Sequence, residues 1–401
     1  MRPMIAWAAM IVAAGILAPV TEPAAQGTAA VEQPDSESVD RRRYLHGVNL
    51  IPVDERYLLV FSSNSYPPRL GTRWDHDIFY SWIDPTDPRL DVQLLVSHDE
   101  AQEPASAAIN AQGKILITNE DGSDGINQFA SIWNSDLTPI VSYPDMMVRR
   151  GGHSGHAAAL HDRFLVVYGE GWIQEGGVDD LGTGDDIWGR IINGNGVPGP
   201  EIEVSVGDET RDWWPIVAAS DAEALVVWQR YHSETDEDGN TIESASLEGA
   251  IVDATGSVQS RLRIASTVDY YVYDVQYVSS LRLFLVIGSD SDGGFSALIN
   301  PAGRIVAQRH GLPRAIREAS TAVTGGQVGA TAVYPTAPTG VAVLALGNRS
   351  INLIDTIAGD MEWDGIGTDG VFVSPSKVLF AAGSIDGIDL VSFDLGTDPA
   401  D

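Results

Sequence analysis

GGHSGHAAALHDRFLVVYGEGW, Gly151 to Trp172, decides how this chain reads. Two histidines open it, small residues follow, and His161-Asp162 supplies a two-residue turn. An apolar run then ends in Gly-Glu-Gly-Trp. Short runs with tight turn chemistry predict a β-hairpin whose start and finish lie at the same end of a sheet. The plan returns as DWWPIVAASDAEALVVWQRY, Asp212 to Tyr231. Two such hairpins bring His153, His156, Glu170, Trp172, Trp213, Trp214, Arg230 and Tyr231 toward one face.

Working outward, the strongest apolar strands recur as YLLVF from Tyr57, KILIT from Lys114, FLVVY from Phe164, ALVVW from Ala224, LFLVI from Leu283, VAVLAL from Val341 and VLFAA from Val378. Most steps are about 50 to 60 residues, with a shorter last one. Small-residue strands such as SGHAAAL and PIVAAS precede them, and third strands such as IWGRIINGNG follow. Long helical periodicity is absent. Four strands per unit, repeated seven times, predict an all-β fold: a seven-bladed β-propeller of four-stranded antiparallel blades with a substrate cleft on one face. A pair of β-sandwiches also uses short strands, but would not repeat one unit so consistently. Small first strands suit a crowded central channel, and apolar second strands suit the doubly packed middle of a blade.

The N-terminus reads as an export signal. Arg2 is followed by an apolar core from Met4 to Val20 and by small residues near Ala25, the pattern of a cleaved secretory signal peptide over residues 1–25. Residues 26–40 are polar and acidic and read as a disordered leader, leaving 41–401 for the propeller, whose last unit is expected to borrow a strand from Arg41 to Tyr44. No later run is long and apolar enough to span a bilayer. The chain has no cysteine, which excludes disulfides and thiolate chemistry. A secreted or periplasmic bacterial protein follows, expected to be a monomer without a membrane partner. Asp and Glu number 56 against 24 Lys and Arg, a net charge of −32. That excludes nucleic acid as a partner and requires any anionic substrate to meet locally concentrated arginines.

Strand starts and second-to-third-strand loops share one face of a propeller. The loops Asn64 to His76, Asn119 to Gln128, Gly169 to Asp185 and Gln229 to Glu243 are long and rich in Gly, Asp and aromatic residues, and such loops carry function. His153 and His156 enter a strand, where residues three apart point to opposite sides, so the pair does not make a zinc site. One of them is a candidate catalytic or substrate-binding His at the channel mouth, the other reading being a structural His satisfied by backbone. Arg230 and Tyr231, ending a second strand on the same face, read either as a polar strand end or as the parts for acid–base chemistry near a carboxylate. Arg211, Trp172, Trp213, Trp214, Asn119 and Glu120 are candidate substrate contacts, the tryptophans as sugar platforms or as blade packing. No cofactor is required. The segments DGSDG, TDEDGN and SDSDGG admit a structural calcium but lack the full loop spacing for it, and Asp-Gly turns explain them equally. Walker, G-x-S-x-G, H-E-x-x-H and aspartate-box motifs are all missing.

Taken in order, WDHDIFYSWID (Trp74 to Asp84), TNEDG (Thr118 to Gly122), the Gly151–Trp172 stretch, GGVDDLGTGDD (Gly176 to Asp186), RDWWPIVA and LVVWQRY resemble the secreted β-propeller ulvan lyases, from about His46 to Asn300. The resemblance implies β-elimination on a sulfated algal polysaccharide of rhamnose and uronic acid. It also implies a His base (His153 or His156), an Arg neutralising the uronate (Arg230) and a Tyr acid (Tyr231, or a position held here by Trp214). A second His found in some members has no counterpart, its plausible positions being Trp172 and Phe129. β-Elimination first needs the uronate carboxylate neutralised, which Arg does with two parallel hydrogen bonds. A neutral His then removes the C5 proton. The alternatives are a non-catalytic carbohydrate-binding propeller and a lyase on another uronate polymer.

Overall fold

The computed structural model describes residues 45–69, 75–87, 89–122, 126–171, 185–207, 210–235, 241–326 and 329–396. The signal peptide, the leader, the expected closing strand at Arg41 to Tyr44, the segment TDEDGN beyond Thr235 and Trp172 lie outside them.

Seven antiparallel sheets form a ring. Six have four strands and the last has three among the described residues. They span residues 45–96, 102–150, 152–205, 212–265, 273–312, 322–362 and 368–394. Every strand pairs with its sequence neighbour, as hairpin-by-hairpin construction requires. The propeller expected from the repeated apolar runs is the fold observed.

The second strand of blade 3, Arg163–Glu170, shows why these runs form blades. Phe164, Val166 and Tyr168 pack toward blade 2, while Leu165 and Val167 pack toward blade 4. Alternate side chains of a strand point to opposite faces, so a strand between two neighbours must be apolar at every position. Seven such clusters of buried residues join the blades pairwise. The seventh closes the ring, setting Leu45, Leu50 and Phe61 of blade 1 against Ile366, Leu379 and Ile388 of blade 7. Each interface removes apolar surface at roughly 25 cal/mol per Å², and no blade could bury both faces alone.

One strand differs from expectation. VAVLAL lies in the third strand of blade 6 (Thr339–Gly347), and the second strand is Ala330–Pro335. That strand, ATAVYP, is wholly buried but built of small residues, so apolarity singles out its neighbour. The correction also removes the anomalously short last step of the repeat.

The first strands line a central channel enclosing about 750 Å³. Side chains tie neighbouring first strands together. Asn49 donates to the Ala105 carbonyl and accepts from Ala107 N, at 2.9 and 3.1 Å. Ser106 accepts from Ala157 N (3.1 Å), Asp274 from Thr321 N (2.7 Å) and Asp369 from Leu50 N (2.6 Å). These bonds satisfy edge amides that no neighbouring ladder reaches.

Candidate functional site

Register confirms the shared face. Gly152 pairs with Glu170 and Asp212 with Arg230, so first strands begin where second strands end. Blades 1 to 4 carry a matching irregularity at this end. His46 to Asn49 faces Ser62 to Val60, Glu103 to Ser106 faces Glu120 to Thr118, His153 to His156 faces Gly169 to Val167, and Trp213 to Ile216 faces Gln229 to Val227. In each, three steps on the first strand match two on its partner, a β-bulge that re-aims side chains. The second bulge residue is left-handed in three of the four: Gly47, Ser154 and Trp214, at φ of 60°, 52° and 54°. Glycine takes this conformation freely, whereas a tryptophan there is a strained residue held by its surroundings.

The bulges build the channel mouth. Trp214 stacks on His46 from blade 1 at 5.6 Å and meets His156 from blade 3 edge-on at 5.3 Å, with Tyr271 at 5.0 Å. His46 Nε2 lies 2.8 Å from Glu318, and its Nδ1 lies 3.8 Å from Glu103. His76 closes on the same Glu103 carboxylate. Burial works against the Glu103 charge, but the His76 and His46 imidazoles outweigh it and bring its pKa to about 2. Its register partner Glu120 goes the other way. Burial and the nearby Glu103 charge push it up to about 8, against the hydrogen bond from Ser154 N (2.5 Å) and the charge of His46. Burial brings His156 down to about 4, so its imidazole is neutral at pH 7. Neighbouring carboxyls in opposite protonation states are the parts of acid–base chemistry.

Behind the mouth lies a second, closed layer. His153 is 1 % exposed, with Nδ1 3.2 Å from Ser154 Oγ and its ring 4.6 Å from that of Trp213. Gly169 makes room for it: a Cβ there would lie 2.5 Å from His153 Cε1. Asp185 sits 3.7 Å from His153 Nε2 and accepts from Arg211 Nε at 2.6 Å. The Arg211 guanidinium lies over Trp213 at 4.1 Å and Tyr231 at 5.4 Å. Trp213 donates to Tyr271 OH at 3.0 Å, and Gln229 donates to Tyr231 OH at 2.6 Å. Tyr231 and Trp213 are buried, and burial raises the Tyr231 hydroxyl well above its ordinary pKa.

The expected residues thus share a face but divide by depth. His156 and Trp214 reach the mouth, while His153, Trp213, Arg211 and Tyr231 fill the closed layer. Trp213 offers no open face to a sugar; its platform reading gives way to packing between blades 4 and 5. The guanidinium that shares a carboxylate with His153 is Arg211. Arg230 stands at the rim, held by both Asp212 oxygens at 2.6 and 2.7 Å and donating to Ser205 at 2.9 Å. Asn119 is buried and donates to the Glu120 carbonyl at 3.1 Å. His46, His76, Glu103 and Glu318 were not singled out from the sequence, since they come from separate segments. The available signal was the repeated irregular first-strand start, HGVN, EPAS, HSGH and WWPI.

Among the described residues no group of three or more His, Asp or Glu side chains is arranged to hold a metal ion. In SDSDGG, Asp290 accepts from Asp292 N at 2.9 Å, a turn linking two strands of blade 5.

No protein-family model matches the chain, and no curated protein matches its sequence. Solved structures match in fold. The BP39L lectin from Burkholderia pseudomallei aligns with a TM-score of 0.51 at 11 % identity, over 88 % of this chain and 97 % of the lectin. A protein of unknown function from Dyadobacter fermentans gives 0.50 at 10 %, over 87 % and 93 %. A chain of the mitotic checkpoint complex gives 0.52 at 10 %, over 95 % and 100 %. At such identities the likeness is one of fold.

Proposed function

We propose that the protein binds an acidic polysaccharide across the face where the first strands begin. The observation that carries this is the distribution of cations. In a chain of net charge −32, Arg149, Arg150, Arg230, Arg314 and Arg317 gather at this end of the blades. Arg149, Arg230 and Arg314 are oriented by carboxylates: Glu170 and Glu201, Asp212 and Asp269. Arg317 lies over the Tyr271 ring at 4.3 Å. Planar guanidiniums fixed in advance are suited to sugar carboxylates and sulfates. A lectin among the structures of similar fold supports the same reading.

β-Elimination of a uronate polymer, ulvan above all, is the finer proposal, and the protonation pattern at the mouth favours it. His156 is a neutral base, and Glu120 holds a proton near pH 7. Arg230, the partly exposed guanidinium at the rim, is the group to neutralise the uronate. His153 and Tyr231, both buried, back the mouth from the closed layer. Uronate and sulfated polysaccharides tested side by side, by affinity electrophoresis and by absorbance near 235 nm, decide the matter. Retention with a growing enoate band supports the lyase. Retention alone supports binding without cleavage. Neither with any polymer overturns the proposal.

A further inference from the structure

We infer that Arg317 clamps the carboxylate of a uronate sugar beside the channel mouth, and so makes uronic acid a requirement in the bound polymer. The inference deepens the reading of this face as one for acidic polysaccharide, and it rests on that reading. Arg317 lies in the link between blades 5 and 6, between the strands Ile305–Leu312 and Ala322–Gly325. The link is pinned from two sides. Glu318 N donates to the Tyr271 carbonyl, ahead of the first strand of blade 5, and Thr368 N of blade 7 donates to the Glu318 carbonyl, both at 2.9 Å. Arg317 Nε donates to Glu318 Oε1 at 3.2 Å, and Glu318 Oε2 lies 2.8 Å from His46 Nε2. The guanidinium lies over the Tyr271 ring at 4.3 Å, and that ring meets Trp214 edge-on at 5.0 Å. Arg317 thus shares a carboxylate with His46 and a ring with Trp214, the two groups that stack on each other at the mouth.

That mount leaves one end of the side chain uncommitted. Nη1 and Nη2 have no acceptor among the described residues and are not closed off from solvent. The whole side chain is only 13 % exposed, so stem and Nε are built into the protein while the paired end reaches outward. The neighbouring arginines differ. Arg149 gives its terminal nitrogens to Glu201 and Glu170, Arg314 gives its own to the Asp290 carbonyl and Asp269, and Arg230 gives Nη2 to Asp212 and Ser205. Two terminal N–H groups held side by side match the two oxygens of a planar carboxylate. Because the side chain is ordered in advance, less freedom is lost on binding. The backbone beneath it is strained, with Glu318 and Tyr271 at φ of 50° and 63°, and such strain collects where a fold holds residues for function. An acidic polymer carries charges on successive sugars, so Arg317 adds to Arg230 on blade 4 and does not replace it.

Two variants test the assignment. Arg317→Gln removes the charge and the fork. Arg317→Lys keeps a cation beside Glu318 and over Tyr271 but has no paired end, and so guards against a loss that is merely one of folding. Affinity electrophoresis of the full chain is run in ulvan and in the same ulvan with its uronates reduced to neutral sugars, which keeps the sulfates. The unmodified protein should prefer native ulvan. In both variants that preference should shrink about tenfold, the effect of losing hydrogen bonds to a charged partner. An undiminished preference in both variants overturns the role of Arg317 and leaves the reading of the face intact. Equal weakening toward the two polymers also overturns it, since Arg317 then acts on sulfate or on the fold. No retention of the unmodified chain by any acidic polysaccharide removes the reading of the face, and this inference with it.

Discussion

Asp212 grips Arg230 through both carboxylate oxygens, at 2.6 and 2.7 Å, across the paired ends of the first two strands of blade 4. The aspartate is buried and the arginine partly exposed, so one side of the pair is structural and the other faces the rim.

Removing Arg230 therefore has two effects. Arg230→Ala takes from a buried carboxylate the guanidinium that both of its oxygens accept from, which costs about 2 kcal/mol. Chemical denaturation should show this loss, and the double change Arg230→Met with Asp212→Asn should recover most of it. Arg230→Lys should keep stability better than Ala but still bind acidic polysaccharide poorly, because Arg230 holds Asp212 through Nε and Nη2 and a lysine has no second nitrogen like Nη1 to offer the polymer. Equal retention of the polymer by Lys and Arg at this position would remove Arg230 from the site.

The pH dependence has an alkaline limb. Burial raises Asp369 to about 7 and Glu120 to about 8, both above unfolded values near 4. The folded state then holds more protons than the unfolded one between pH 4 and 8, and stability falls as pH rises through that window. Melting temperatures should drop from pH 5 to pH 8, and Asp369→Asn should flatten the drop. An unchanged slope in that variant would show that Asp369 ionises as freely in the fold as outside it.

An acid limb has the opposite sign. His156 is depressed to about 4 from an unfolded value near 6.5, so its contribution is complete above pH 6.5 and is lost as pH falls through 4. Glu103, held at about 2, contributes above its unfolded value near 4.5 and loses that contribution toward pH 2. His156→Phe should remove the first part of this limb and keep the second, as measured by thermal melts between pH 7 and 2.

Trp214 occupies φ of 54°, where a side chain costs on the order of 1 kcal/mol that glycine does not. Both Trp214→Ala and Trp214→Gly lose the stacking on His46 and the edge-on contact with His156. Glycine should nonetheless be the more stable of the two, by roughly 1 kcal/mol. If alanine is the more stable, the bulge relaxes without the ring and is not imposed by the fold.

The ring of blades was legible because one requirement repeats seven times: a strand covered on both sides must be apolar throughout. The requirement misleads only at Ala330–Pro335, where small residues fill a tight space and Val341 to Leu346 beside them is more apolar. The shared face of His153, His156, Trp213, Trp214 and Arg230 was legible from the turn at His161-Asp162 and its counterpart. Depth was not. Whether an imidazole faces the channel or the next blade depends on a bulge, and a bulge changes the count by one residue without changing composition. The joining of His46 to Glu318 was out of reach for a different reason, since it comes from closing the ring over residues more than two hundred positions apart.

The central claim is that an acidic polysaccharide is bound where the first strands begin. Affinity electrophoresis of the full chain in gels containing ulvan, with Arg230→Ala beside it and absorbance near 235 nm followed in parallel, tests it most directly. The account predicts retardation of the unmodified protein that weakens with salt and is largely lost in the variant. Migration of both proteins unaltered by ulvan and by every other acidic polysaccharide tried would contradict it.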